Sequence, residues 1–380
     1  MSKNLSKKPI LAIISDTLIY KRNDILAFEP VLREVSNFSY LFSKIHWLGF
    51  NHNADPPKNF KFVRDDKINI STVIPSGGNS FFKKMAVIIL LPYYFYKIFG
   101  IIKISDIVHT RGPSIPAMLA IFISLFFPYK KYWHKYGGGW QLQSKAASYE
   151  IQKWMLLKKL PGKVVVSQRN SLDPKNIFNW PNPCLTNKEI YYNQKIGLKK
   201  SYVNKFVLCF IGRLESEKGF PSLLDAIGKL KESHYINRIH FVGEVVDNEK
   251  IKSKEFSDGI EVIFHGILDR ETINDIYADS HFIILPSQSE GFPKVLAEAS
   301  SFGCIPIVPS IPSIILHINE REKNGIVLHN ISKEQIFKTI INLKNMRNEL
   351  PFISKNAINN AKKFSYENYN YRILNEIIQS

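Results

Sequence analysis

The chain has 380 residues, 45% hydrophobic and 22% charged, which fits a folded protein of about two domains and excludes a disordered or fibrous one. Three cysteines, Cys184, Cys209 and Cys304, are far apart, odd in number and without a C-x-x-C, which excludes a disulfide framework and a cysteine zinc site and fits a reducing compartment. The net charge of +18 is uneven: residues 1–200 hold 30 Lys+Arg against 11 Asp+Glu, and residues 201–380 hold 21 against 22. A uniformly lysine-rich composition would have made both halves basic. The first half is therefore expected to face a polyanion, either an anionic leaflet or nucleic acid.

The N-terminus, MSKNLSKKPILAIISD, is basic and then apolar, but the apolar part stops at Ile14. It is too short for a signal-peptide core and reads as a first parallel strand, Ile10–Ile14. Further strands are predicted at Ile45–Leu48, Ile107–His109, Tyr132–His134 and Val164–Ser167, with room for crossovers between them. This is the pattern of a doubly wound parallel sheet, whose ligands meet the carboxyl ends of the strands. Two such ends carry histidine: His109 with Arg111 in DIVHTRGP, and His134 in YWHKYGGGW, ahead of Gly137, Gly138 and Gly139. The first strand–helix loop, SDTLIYKRND, has no glycine, and the pair Gly77–Gly78 lies well downstream.

Two apolar segments stand out in this half. Phe81–Lys103, FFKKMAVIILLPYYFYKIFGIIK, nearly has the length of a membrane span. Pro92, Lys97 and its tyrosines suit a helix lying in the headgroup interface, with core packing and, less favoured, a true membrane span as the alternatives. Pro116–Lys131 is shorter and is expected to be a core helix. No nucleic-acid partner is expected, because the basic residues alternate with aliphatics and form no aromatic platform.

From Trp180 to Asn204 the chain has two prolines and no sustained period, and is read as a linker. The expected division is a first domain over 1–185, a linker over 186–204, a second domain over 205–360 and a closing helix over 361–380. The second domain opens with a buried strand, Phe206–Ile211, then GRLESEKG and a helix from Pro221 to Glu232. Arg213 and Lys218 at the end of that strand, with Gly219 at the helix mouth, make a diphosphate clamp. The competing reading is a surface loop with an ion pair to Glu215 or Glu217. Strands Ile239–Val242 and Val262–Phe264 follow, then a helix over Asp269–Ser280. The apolar run Phe282–Leu285 leads into SQSEGFPKVLAE, a strand, tight turn and helix with Pro293 in the first helical turn. Gly291 lets the backbone approach a ligand, and the N–H groups of Phe292 and Lys294, on either side of Pro293, open a helix toward it. Glu290 before that helix and Glu298 inside it suit sugar hydroxyls better than phosphate. Strands over Gly303–Val308 and Asn324–Leu328 and a helical tail from Asn356 to Ser380 complete the chain.

The two glutamates, set in LPSQSEGFPKVLAEASSFGCIPIV, resemble the E-x7-E signature of retaining glycosyltransferases of family 4, which have the GT-B fold. FIGRLESEKGF is similar to the segment of that family whose arginine and lysine hold the donor phosphates, here Arg213 and Lys218. The resemblance implies two Rossmann-like doubly wound domains facing a cleft, the second binding a nucleotide sugar and the first an acceptor. It also implies His134 against the donor's sugar and phosphate, and Ile263, Phe264 and His265 near the base. AKKFSYENY is similar to the family's closing helix, which returns to the first domain.

The expected chemistry is transfer of a sugar with retained anomeric configuration. Arg213 and Lys218 would stabilise the departing phosphate, Glu290 would orient the sugar and Glu298 the ribose. No D-x-D stands at a strand end, so no metal and no other cofactor is expected beside the nucleotide-sugar donor. The basic, apolar first half points to a lipid-linked saccharide acceptor on an anionic membrane, in O-antigen or capsule synthesis. The protein is then cytoplasmic and peripheral on the inner face of the plasma membrane. The alternatives are a soluble transferase using a free sugar or a protein, and a silent membrane or polyanion adaptor on the same fold.

Overall fold

The computed structural model describes residues 8–56, 59–77, 81–140, 147–158, 160–230, 235–244, 256 and 259–380. Met1–Lys7, Gly78 of the glycine pair and Glu232 at the expected helix end lie outside the described residues, as do the side chains of Phe81, Lys83 and Lys84. The chain divides into two compact units, Met1–Pro181 with Asn368–Ser380, and Asn182–Glu367.

In the first unit the strands are β1 (Ile10–Lys21), β2 (Ile25–Phe28), β3 (Lys44–Asn51), β4 (Phe60–Phe62), β5 (Ile68–Val73), β6 (Ile107–Gly112), β7 (Lys131–Tyr136), β8 (Lys163–Val166) and β9 (Ile177–Asn179). A parallel sheet runs β5-β3-β1-β6-β7-β8-β9, and an antiparallel β2–β4 ribbon extends from the far end of β1. β1 does not stop at Ile14. Ser15 is buried, yet its hydroxyl donates to Leu48 O at 3.2 Å and accepts from Trp47 Nε1 at 3.0 Å, so the strand continues without an unpaid polar group.

Phe81–Lys103 forms one helix with Pro92 inside it. Tyr94, Ile98 and Ile102 sit in a core with Leu48, Ala120 and Tyr132, while Phe82, Ile88, Ile89 and Tyr96 are exposed. Its Met85–Lys103 part is long and apolar enough to cross a membrane, with mean hydropathy 1.9 and 22% of it buried. One face serves the core and the other is open. The next helix, Ile115–Ile123, buries Pro116, Ala117, Ala120, Ile121 and Ile123, as expected of a core helix, while Phe122, Leu125 and Phe126 stay exposed.

The segment read as a linker contains a helix instead. Asn187–Gly197 is closed at its start by a capping box in which Thr186 accepts from Glu189 N and the Glu189 side chain accepts from Thr186 N. It buries only Ile190 and Gly197, too little for an apolar period to appear in the sequence.

The second unit is a six-stranded, wholly parallel sheet: β10 (Phe206–Ile211), β11 (Ile236–Val242), β12 (Glu261–Phe264), β13 (Phe282–Ile284), β14 (Ile305–Pro309) and β15 (Ile326–Leu328), in the order β12-β11-β10-β13-β14-β15. Every residue of β10 and β13 is buried, as strands covered on both faces require. Phe206, Phe210, Phe220, Phe241 and Phe282 pack edge-to-face or tilted around them.

Candidate functional site

In the second sheet β11 lies on one side of β10 and β13 on the other, so the strand order reverses at the β10/β13 pair. The carboxyl ends of these two strands are where such a sheet opens a crevice for a ligand. Arg213–Gly219 leave β10 and Leu285–Pro293 leave β13, which brings both predicted loops to one place.

The loops are joined by backbone and side-chain contacts. Gln288 N donates to Glu217 O at 2.9 Å, and Gln288 Nε2 donates to Ser216 O at 3.1 Å. Gly219 caps the helix Phe220–Ile227 at φ +71°, and a Cβ there would stand 1.9 Å from Pro286 O. Only glycine serves, for the backbone angle and for the space. Gly243 answers the same need at the end of β11, where a Cβ would meet Gly212 O at 1.9 Å.

Lys218 and Glu290 meet across this junction, Lys218 Nζ donating to Glu290 Oε1 at 2.6 Å. Ser287 Oγ donates to the same oxygen at 2.8 Å, and Ser313 Oγ donates to the Glu290 carbonyl at 2.7 Å. Arg213 stands at the rim with 62% of its side chain exposed, 2.9 Å from Glu215. Both clamp cations therefore have ion pairs, as the surface-loop reading required, but the Lys218 partner is the loop glutamate.

Pro293 precedes the helix Lys294–Ser301 as its N-cap rather than standing inside it, and no side chain caps that end. Its backbone N–H groups face the turn at Gly291, where an anion is favoured. The Phe292 ring does not face a ligand: it is buried, stacked on Phe364 at 4.4 Å and edge-on to His317. Glu298 is not beside Glu290's partners. Its Oε1 accepts from Arg270 Nη1 at 2.8 Å, while Arg270 Nη2 reaches the Cys184 carbonyl at 3.2 Å and Glu189 at 3.7 Å. Burial opposes the Arg270 charge, and the nearby Glu298 outweighs it, raising its pKa.

Ile263 and Phe264 end β12, two strands away from β10, and Phe264 stacks on Phe241 at 4.9 Å. His265 Nε2 lies 2.8 Å from His240 Nδ1, whose other nitrogen is 3.2 Å from Asp279. With His240 donating to that carboxylate, His265 donates to His240 and keeps Nδ1 as an acceptor. Burial and the neighbouring His240 lower the His265 pKa.

His134 belongs elsewhere. β7 runs on to Tyr136, and His134 is buried in the first unit rather than exposed at a strand end. Its Nδ1 is 2.9 Å from Thr110 Oγ1 and its Nε2 is 3.2 Å from Pro161 O. The carbonyl can only accept, so Nε2 carries the proton and Nδ1 accepts from the threonine. Burial pushes its pKa down to about 4. His134 is thus a buried histidine with both ring nitrogens hydrogen-bonded inside the first unit.

Sequence reading missed Arg270, Ser287 and Ser313. Only Ser287, three residues before Glu290, stood inside a motif. The three cysteines are buried.

Relatives can be set against this geometry. An uncharacterized glycosyltransferase of Methanocaldococcus jannaschii is 26% identical over 202 residues, 52% of this chain and 50% of the relative. A Campylobacter jejuni relative, described as GalNAc-alpha-(1->4)-GalNAc-alpha-(1->3)-diNAcBac-PP-undecaprenol alpha-1,4-N-acetyl-D-galactosaminyltransferase, is 26% identical over 48% of each chain. The chain thus spans about half the length of these curated relatives. Among solved structures, Anabaena HepE in complex with UDP and glucose superposes with a TM-score of 0.67 at 14% identity, covering 97% of this chain and 99% of that one. Such likeness is one of fold, and the fold is GT-B, two Rossmann-like α/β domains. It is over residues 194–364, which carry Arg213, Lys218, Glu290 and Glu298, that the chain matches the family model described as Glycosyl transferases group 1.

Proposed function

We propose that this chain is a retaining glycosyltransferase that moves a sugar from a nucleotide-sugar donor to a lipid-linked saccharide during cell-surface polysaccharide synthesis. The observation that carries this reading is the Lys218–Glu290 pair, held where the loops after β10 and β13 are fastened together. A donor diphosphate entering there competes for Lys218 and Arg213. Glu290, released from the ammonium, can then accept from the sugar's hydroxyls. As the glycosidic bond to the diphosphate breaks, negative charge grows on the leaving phosphate and an oxocarbenium-like centre forms on the sugar. Arg213, Lys218 and the N–H groups at the start of helix Lys294–Ser301 meet the first. Glu298, steadied by Arg270, meets the ribose, and the Ile263–His265 edge meets the base. The clamp supplies its own cations, and no step calls for a divalent metal.

The acceptor follows from the first unit. Its charge excess and the open face of helix Phe81–Lys103, with Ile88, Ile89 and Tyr96, suit an anionic leaflet. The protein is then cytoplasmic and peripheral on the inner face of the plasma membrane. The relative from Campylobacter jejuni, whose name specifies a saccharide linked to undecaprenol, supports this choice.

The test is release of nucleoside diphosphate from a panel of nucleotide sugars, with and without lipid-linked saccharide. Turnover with one nucleotide family, unaffected by chelation and lost in Arg213→Ala, is the expected result. No turnover and no nucleotide binding in folded protein would overturn the reading in favour of an adaptor. Flotation with anionic vesicles, reduced by I88D/I89D, separates the membrane-bound transferase from one that uses a free sugar or a protein.

A further inference from the structure

The first unit has a strand-order reversal of its own. β3 and β5 lie on one side of β1, while β6 and the strands beyond it lie on the other. At the carboxyl end of β6, beside the middle of β1 where its pairing with β6 has ended, is a pocket of about 180 Å³, lined by Asp16, Thr17, Arg111, Gly112, Lys135 and Gly137 among others. That is room for about six waters, or for one charged group and part of a sugar ring.

The lining is chemically unusual. Arg111 and Lys135 are 14% and 8% exposed, and both are anchored on Glu34, which is fully buried in helix Glu29–Phe38. Glu34 Oε1 accepts from Arg111 Nη1 and from Lys135 Nζ, each at 2.7 Å, and Oε2 accepts from Arg111 Nη2 at 3.3 Å. Tyr369 Oη lies 3.3 Å from Oε1. Two cations held on one carboxylate keep fixed positions, and both are presented to the pocket. Forked guanidinium and ammonium donors in a partly desolvated wall are costly beside a neutral ligand and well matched to an oxyanion. Asp16 and Thr17 from β1 add acceptors suited to sugar hydroxyls.

We infer that this pocket binds an anionic saccharide, its carboxylate or phosphate oxygens on Arg111 and Lys135 and a ring hydroxyl on Asp16. The inference rests on the transferase reading and narrows it: the acceptor's terminal sugar carries a negative charge.

The full-length protein is titrated without donor against glucuronic acid, glucose 1-phosphate and neutral glucose, with thermal unfolding as the readout. One or both anionic sugars raise the midpoint and glucose does not, and the responding sugar identifies carboxylate or phosphate as the recognised group. Lys135→Gln keeps the Glu34–Arg111 pair and weakens the anion about tenfold or more, the loss expected for one charge-assisted bond. Should that variant not fold, Asp16→Asn at the exposed rim serves instead: its amide oxygen still accepts the ring hydroxyl, and loss of the like charge tightens anion binding. Equal shifts with glucose, a shift unaltered in folded Lys135→Gln, or an anion affinity not improved by Asp16→Asn overturns the inference. So does a shift that disappears in Arg213→Ala, which assigns the anion to the second unit. A nucleoside diphosphate that still raises the midpoint leaves the donor reading standing when this one falls.

Discussion

Each unit places two cations, paired with one carboxylate in the first unit and with two in the second, at a reversal of strand order, but the two sets differ in burial. In the second unit Arg213 is 62% exposed and Lys218 23%, and their partners Glu215 and Glu290 lie in the same or the facing loop. In the first, Arg111 and Lys135 close over a carboxylate with no exposure at all. A pair that solvent still reaches contributes less to stability than a fully buried one, so a ligand can replace one partner at smaller cost. A buried cluster cannot be opened that way, because an unpaired charge in the interior costs several kcal/mol. The second set is built to exchange partners, and the first to stay as it is.

The contrast can be broken at either end. Glu34→Ala strands two buried cations and is expected to cost about 3–5 kcal/mol in denaturant unfolding. A loss below about 1 kcal/mol, the scale of an exposed pair, would erase the distinction. Lys218→Ala should do the reverse, lowering turnover about 10²–10³-fold through lost stabilisation of leaving-group charge while the unfolding midpoint hardly moves. Unchanged turnover would place Lys218 outside the chemistry.

Acid should act on both units alike. His134 in the first and His317 in the second are buried, with pKa values lowered to about 4, chiefly by burial. Because the folded pKa lies below the unfolded one, the neutral histidines leave stability intact above about pH 6.5. It falls as the pH drops from there toward 4. Thermal midpoints measured across that window should decline, and His317→Gln should flatten part of the decline; a midpoint independent of pH there would contradict the burial argument. Gly219→Ala should cost about 1–2 kcal/mol from its left-handed backbone alone. It should also push the β10 and β13 loops apart, so that nucleotide affinity falls further than stability does. The smallest effect belongs to the exposed Lys229–Glu334 pair, where Lys229→Ala should leave the unfolding midpoint unchanged.

What the sequence made legible follows the same division. β10 was read to the residue and β13 to within one, because a strand covered on both faces is an unbroken apolar run. Arg213, Lys218 and Glu290 were readable because each stands beside glycine at the end of such a run. Arg270 was not, since its bond to Glu298 crosses from one helix to another and leaves no local trace. In the first unit β2, β4 and β9 have three or four residues, too few for a period to register. The three glycines after Tyr136 suggested that His134 stood at an open strand end. The strand instead continues to Tyr136 with both faces covered, which turns the imidazole into the core. Glu34 gave no signal of its role. In sequence it looks like any solvated acid, and only the fold brings β6 and β7 over it.

The assignment of Asn368–Ser380 to the first unit has a consequence for synthesis. Tyr369, Ile373 and Ile377 belong to the same core as Ile13, Trp47 and Trp133. The first unit therefore cannot finish folding until Asn368–Ser380 have left the ribosome. The second unit, continuous from Asn182 to Glu367, has all of its own chain earlier. Domains generally fold as units and the N-terminal one usually leads during translation; here the order of completion is reversed. A nascent chain stalled after Glu367 would hold a finished second unit beside a first one still exposing the seat of that final helix.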